Sequence, residues 1–270
     1  MALSPLTAFL PDAGTALPLP ARLRELYGGD LSLPDTEVYA NFVQSIDGVV
    51  SVPGVVSSGS VLSGKNEADR FVMALLRACA SAVLVGGATL RDTPRHHWTA
   101  EHIYPELAED FATLRRSLGL APQPRLVVLT STGEIDVNHP AVQGGATFLT
   151  SAAGGRRITE LIPERSSIKA FPGDRVPLPE AIAWLREQGT TRILSEAGPH
   201  VMGQLVAGDL VRDIFLTVSP VLAGRKGPGR LSLVEGMALI PERRVEAKLA
   251  SGRTSGDFLL LRYALASAPG

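Results

Sequence analysis

The chain has 270 residues, enough for one large α/β domain or two small ones, and enough to bury a core without disulfides or structural metal. Lys plus Arg is 26 and Asp plus Glu is 27, a net charge of −1, which argues against a nucleic-acid-binding surface and against a broad membrane-binding one. The single cysteine, Cys79, excludes an internal disulfide and a Cys-rich zinc site, and its apolar, helix-like surroundings read as core. No basic segment precedes an apolar one at the start and no apolar run is long enough to span a membrane, so a cytoplasmic location is expected by default.

In chain order, residues 1 to 35 are rich in Pro and Leu and read as an N-terminal extension, with a short helix over Ala21 to Tyr27 closed by Gly28-Gly29. A strand is predicted from Val38 to Val43, ending in the turn Ser45-Ile46-Asp47-Gly48. Ser57 to Gly64 reads as a Ser/Gly-rich loop, with Ser63 as N-cap of a helix that runs to about Ala80. Ala82 to Val85 is a short apolar run ending in Gly86-Gly87, a buried strand. Residues 91 to 124 read as a site loop followed by a helix from about Pro105 to Leu118. Strands follow at Arg125 to Thr130 and, more weakly, at Ala146 to Thr150 and Ile168 to Phe171. An amphipathic helix over Leu178 to Gln188 stops at Gly189. The strand Thr191 to Ser195 leads through Glu196-Ala197-Gly198-Pro199 into a helix ending at Ala207. Asp213 to Val218 is a strand broken by Ser219-Pro220, and Val245 to Leu249 with Asp257 to Tyr263 form a closing antiparallel pair. The alternation predicts an α/β fold: a mixed, mostly parallel central sheet with helices on both faces and antiparallel C-terminal strands, in one domain over 36–270.

Three places carry chemistry. At Ser195 to Gly203 a strand stops and a helix begins, which reads either as a plain connection or as a phosphate seat at a helix N-terminus. Gly198 would let a ligand approach the backbone, and Pro199 suits the first helical turn. Val85-Gly86-Gly87-Ala88-Thr89 is a second Gly-bearing strand end, and ligand crevices lie outside such carboxyl ends. The full GxGxxG fingerprint is absent, so a standard Rossmann domain is not expected. Asp47 is either an ordinary turn residue or a carboxylate at a strand end that bonds an amino-heterocycle or tunes a proton transfer. His96-His97 diverge on either a strand or a helix, so no metal site is expected, and Arg225-Lys226 read as a solvated loop.

Taken in order, Ser45-x-Asp47-Gly48, Leu62-Ser63-Gly64, Leu76-Arg77-Ala78, Val85 to Thr89, Val127 to Ser131, Glu196 to Pro199, Leu210-Val211-x-Asp213 and Val218 to Gly224 form a set. That set resembles the riboflavin-pathway pyrimidine reductases, the C-terminal reductase domains of bifunctional riboflavin deaminase–reductases and their stand-alone relatives, over roughly residues 38 to 263. The resemblance implies a dihydrofolate-reductase-like fold, NADPH as hydride donor, usually a homodimer, and a small heterocyclic substrate such as a ribosylamino-pyrimidine phosphate. On this reading Gly86, Gly87, Thr89, Ser131 and the helix start Gly198, Pro199, His200, Val201, Met202 and Gly203 hold NADPH. Asp47 is the expected catalytic residue, and Ser45, Ser63, Arg77, Asp92 and Glu196 face or support the substrate. The family's Asp-Asp-Pro loop and its following Arg are replaced by Arg91-Asp92-Thr93-Pro94-Arg95-His96-His97-Trp98, and no zinc-deaminase signature is present. A dihydrofolate reductase analogue, a flavin or deazaflavin reductase and a non-catalytic nucleotide-binding protein remain the alternatives.

Overall fold

Side chains that alternate along the strands divide the core into two halves, one on each face of a single sheet. Tyr39, Val83, Val85, Val128, Phe148, Leu194 and Phe215 point to one face, and their neighbours Val38, Ala40, Ala82, Leu84, Val127, Leu149, Ile193, Ile214 and Leu216 to the other. The computed structural model describes residues 3–35, 37–52, 54–225 and 229–266. Among these, the strands are β1 Thr7–Leu10, β2 Val38–Ser45, β3 Ala82–Gly86, β4 Arg125–Thr130, β5 Thr147–Ser151, β6 Ser167–Phe171, β7 Ile193–Ser195, β8 Asp213–Ser219, β9 Ala247–Ser255 and β10 Phe258–Leu265. The helices are α1 Ala21–Tyr27, α2 Ser58–Ser63, α3 Glu67–Cys79, α4 Gly87–Asp92, α5 Ala100–Ile103, α6 Ala108–Ser117, α7 Pro140–Gln143, α8 Ala152–Ile158, α9 Leu178–Glu187 and α10 Pro199–Ala207.

The sheet order is β1-β9-β10-β8-β2-β7-β3-β4-β5-β6. From β8 to β6 every pair is parallel, whereas β10 meets β8, β9 meets β10 and β1 meets β9 antiparallel. This is the mixed, mostly parallel sheet that the alternation predicts. Helices α1, α3 and α6 cover the first face through Leu23, Phe71, Leu75, Phe111 and Leu114. Helices α9 and α10 cover the second through Ile182, Leu185, Met202 and Leu205. Helix α3 repeats apolar residues at 68, 71, 72, 75, 76 and 79, the spacing of a helix with one buried stripe.

Three local expectations differ from the structure, and the N-terminal extension packs on the domain. The Ser/Gly-rich loop contains helix α2, closed by Gly64 in the left-handed region. The N-cap of α3 is Asn66, not Ser63: its carbonyl oxygen accepts the N–H groups of Ala68 and Asp69 at 2.9 and 3.2 Å. The helix expected from Pro105 begins as a 3-10 turn over Pro105–Leu107 before α6. The first 35 residues contribute β1 to the sheet and Leu6, Leu23, Tyr27, Leu31 and Leu33 to the core. Asp12, from the same stretch, lies buried between Arg253 and Arg262, at 3.3 and 2.7 Å. No helix among the described residues is long and apolar enough to cross a membrane.

Candidate active site

The carboxyl ends of the neighbouring strands β2, β7 and β3 open into a cavity of about 550 Å³. Strand β2 lines it with Asn41, Phe42 and Val43, the turn after β7 with Glu196 to Pro199, and helix α4 after β3 with Thr89 and Asp92. The long wall is α3. Asp69, Met73 and Arg77 recur every four residues, so they share a helix face that borders its apolar stripe. The serines of α2 and Lys65 form the rim.

Arg77 fixes the floor. Its Nε donates to Glu196 Oε1 at 2.8 Å and one terminal nitrogen to Oε2 at 2.6 Å, a bidentate pair with the side chains only 1% and 10% exposed. Its other terminal nitrogen donates to the carbonyls of His97 and Thr99 at 3.2 and 3.3 Å. One guanidinium thus ties α3 to the end of β7 and to the loop that carries Asp92, Thr93, His96 and Trp98 into the cavity. His139 holds that loop from behind. Its Nδ1 accepts the Ala141 N–H at 3.1 Å, so its Nε2 carries the proton and donates to the Thr93 carbonyl at 2.9 Å.

Asp69, which the sequence reading did not single out, is the buried carboxyl of the cavity, 4% exposed. Burial pushes its pKa up to about 6, with the Glu196 charge adding to the rise and the Thr217 and Ser63 hydroxyls opposing it. The signal available in the sequence was its place in the first turn of a helix, at the border of the apolar stripe. That signal is shared by many solvated acids.

Of the expected residues, the structure brings Ser63, Arg77, Thr89, Asp92, Glu196, Gly198 and Pro199 to this one cavity. A Cβ on Gly198 would meet nothing within 4 Å, so the strand-to-helix turn presents bare backbone to the cavity. Helix α10 starts there with Pro199 in its first turn and no side-chain cap, an arrangement that fits a phosphate. The other members of that helix start are not at the wall. Met202 is fully buried in the core, and Val201 packs against the same cluster. A Cβ on Gly203 would lie 2.3 Å from the Glu235 carbonyl, and His200 Nδ1 faces Gly236. The Met202 side chain and the space beside Gly203 are thus taken up by packing, away from the cavity wall.

Gly86 and Gly87 lie behind Thr89, where a Cβ on Gly87 would come 3.4 Å from Thr130. The Ser131 carbonyl accepts the Ser151 hydroxyl at 2.6 Å, at the end of β4 and outside the cavity wall. Ser45 is buried, and its hydroxyl oxygen accepts the Val49 N–H at 3.0 Å. Asp47 is exposed and points away. Its two carboxylate oxygens accept the N–H groups of Ala223 and Gly224 at 2.9 and 2.7 Å. The Ser45 hydroxyl and then these backbone donors hold its pKa down to about 2. Both carboxylate oxygens of Asp47 are thus engaged in a turn outside the cavity wall. Arg225 is exposed, and Lys226 lies outside the described residues.

The family described as the RibD C-terminal domain matches residues 36–257. Among solved structures, a pyrimidine reductase-like protein from Corynebacterium diphtheriae superposes with a TM-score of 0.69 at 21% identity, covering 91% of this chain and 98% of that one. RibD of Acinetobacter baumannii gives 0.67 at 16% identity, over 86% of this chain and 59% of that one. The riboflavin biosynthesis reductase Rib7 of Saccharomyces cerevisiae gives 0.61 at 14% identity, over 86% and 90%. At these identities the superpositions establish the fold, and the chain spans little more than half the length of RibD. Among curated proteins none matches the chain. The family match contains the full run from Ser45 to Gly224 that suggested the resemblance, together with every wall of the cavity, and the chain belongs to the RibD C-terminal domain family.

Proposed function

We propose that the protein is an NADPH-dependent reductase of a pyrimidine-type heterocycle, of the kind reduced in riboflavin biosynthesis. One observation carries the reading: a single cavity gathers Ser63, Arg77, Thr89, Asp92, Glu196 and Gly198 from separate motifs and adds a buried carboxyl, Asp69. Bound NADPH supplies a hydride to the carbon of a C=N or C=O group, whose nitrogen or oxygen takes up a proton.

Gly198 and the first turn of α10 would hold the cofactor phosphates, Thr89 would meet the nicotinamide end, and Gly86, Gly87 and Ser131 at the ends of β3 and β4 would support the adenosine half. The heterocycle lies along α3 with the nitrogen or oxygen of the reduced bond toward Asp69, and a substrate phosphate stays at the rim with Lys65 and the α2 serines. Asp69 in its protonated form delivers the proton, while Arg77 keeps the Glu196 carboxylate fixed at the floor. A homodimer acting in the cytoplasm completes the reading, on the strength of the family resemblance.

Asp69→Asn is expected to lower kcat about 100-fold while NADPH affinity stays within about twofold. In the wild type, kcat/KM is expected to fall as pH rises through about 6, and the variant's profile to be flat. Stopped assays of NADPH absorbance with ribosylamino-pyrimidine phosphates measure both. Full turnover in the variant removes Asp69 from the mechanism, and absence of NADPH binding in the wild type removes the reductase reading.

A further inference from the structure

The floor of the cavity sets the protonation of one more side chain. The Arg77 terminal nitrogen that bonds Glu196 Oε2 also lies 2.8 Å from His96 Nε2. A guanidinium has only donors and does not deprotonate, so Nε2 has to be the acceptor and bears no hydrogen. The neutral ring then keeps its proton on Nδ1. His96 lines the cavity, and its Nδ1 has no hydrogen-bond partner among the described residues. Nor is Nδ1 among the buried side-chain atoms left unpartnered, so this nitrogen of a cavity-lining ring is not sealed off.

Packing holds the ring in that orientation. Trp98 and His102 meet it edge-on, with ring centroids 5.1 and 4.9 Å away. The groups whose charge acts on His96 come from several elements: Arg77 on α3, His97 on the same loop, His102 on α5 and His139 before α7. Burial first, and then the Arg77 charge, hold its pKa down to about 2. A second proton would set an N–H against the guanidinium that now donates to it.

We infer that His96 is a specificity residue of this cavity: it offers a permanently neutral Nδ1–H to an uncharged acceptor, a ring carbonyl or ring nitrogen of the substrate, and does not anchor a phosphate. The inference rests on the cavity being the substrate site. It assigns a task to the stretch where the family's Asp-Asp-Pro loop is replaced. His96 supplies a donor without charge there, the two arginines of the wall are committed, and Lys65 stays at the rim. Arg70 bonds Glu67 and the Ile103 carbonyl, and Arg77 is saturated.

Two measurements test it. Long-range nitrogen–proton NMR on histidine-labelled protein, with His96 assigned by His96→Gln, reads the tautomer directly. His96 is expected to show a bare Nε2, a protonated Nδ1 and no titration between about pH 5.5 and 8.5. His139, bonded the opposite way, supplies the contrasting pattern in the same spectrum. A His96 that titrates in that window, or carries its proton on Nε2, overturns the inference.

The second measurement is steady-state reduction of a ribosylamino-pyrimidine phosphate. His96→Phe is expected to raise KM at least about tenfold with kcat within about threefold, and His96→Gln, which keeps an N–H donor, to recover most of the loss. Inorganic phosphate is expected to compete equally well against wild type and His96→Phe. An unchanged KM in His96→Phe, or phosphate competition lost with the imidazole, overturns the inference while leaving the reductase reading intact. A wild type inert toward every pyrimidine, with the expected tautomer still present in the spectrum, overturns the reductase reading and the substrate role of His96 together.

Discussion

Asp69 and Asp47 are both acids near strand or helix ends, and their surroundings give them opposite chemistry. Asp47 sits in a solvated turn with backbone N–H groups on both oxygens, which keeps it ionised. Asp69 is packed under α2 and β8, where desolvation outweighs its two hydroxyl partners. The Ser45-x-Asp47-Gly48 motif made Asp47 visible in the sequence, because a turn signal is local. Asp69 was not visible, because its burial depends on Thr217, which lies 148 positions away along the chain. The raised pKa has a stability consequence. The unfolded chain releases this proton near the ordinary value of 3.8, and the folded chain only near 6. Asp69 therefore adds its full stabilisation below about 3.8 and loses it as pH rises through 6, a change of order 2–3 kcal/mol at most. Asp69→Asn is expected to melt higher than wild type at pH 8 and to lose that advantage at pH 4, read by thermal denaturation across the series. A variant that melts lower at both pH values contradicts the burial of an ionisable Asp69.

The elements most legible in the sequence were those whose period is set by the sheet. Strand β3 is a short apolar run, β4 has an apolar run from Leu126 to Leu129, and α9 carries a clean amphipathic stripe. Helix α2 was not legible, because Ser58-Gly59-Ser60 have the composition of a loop and the helix is stabilised by Gly64 at its end and by the Ser219 hydroxyl, which donates to the Leu62 carbonyl at 2.7 Å. At α10, the expected cofactor stretch read as uniform in sequence, and the structure divides it. Gly198 faces open space, and Gly203 faces the Glu235 carbonyl. The two glycines therefore respond differently to added carbon. Gly198→Val is expected to leave the melting temperature nearly unchanged and to weaken NADPH binding at least about tenfold. Gly203→Ala, despite its better helix propensity, is expected to destabilise by about 1–3 kcal/mol, because the backbone at 235 has to move. The reverse pattern, with Gly203→Ala neutral for folding, contradicts the packing of residues 231 to 236 over α10.

At the scale of the whole molecule, the sheet joins parts of the chain that are far apart in sequence. The first 35 residues look like an extension because their Pro and Leu content has no strong period, yet they close the antiparallel edge through β1 and cover the first face through α1. Asp12 is the buried partner of both Arg253 and Arg262, and Arg262 also bonds Asp213 at 2.8 Å. Asp12→Ala leaves two guanidinium groups short of a counter-charge and is expected to destabilise by about 3–5 kcal/mol in urea titration. A loss under about 1 kcal/mol contradicts the buried network. The order and spacing of motifs carried the family, because most of them fall at strand ends or on the helices α2 and α3, which together build the cavity. The central claim is that this cavity is a nicotinamide-dependent reductase site, and calorimetric titration of the wild type with NADPH and then NADH tests it most directly. Micromolar binding that favours NADPH and is lost in Gly198→Val is the predicted result; binding of neither nucleotide contradicts the account.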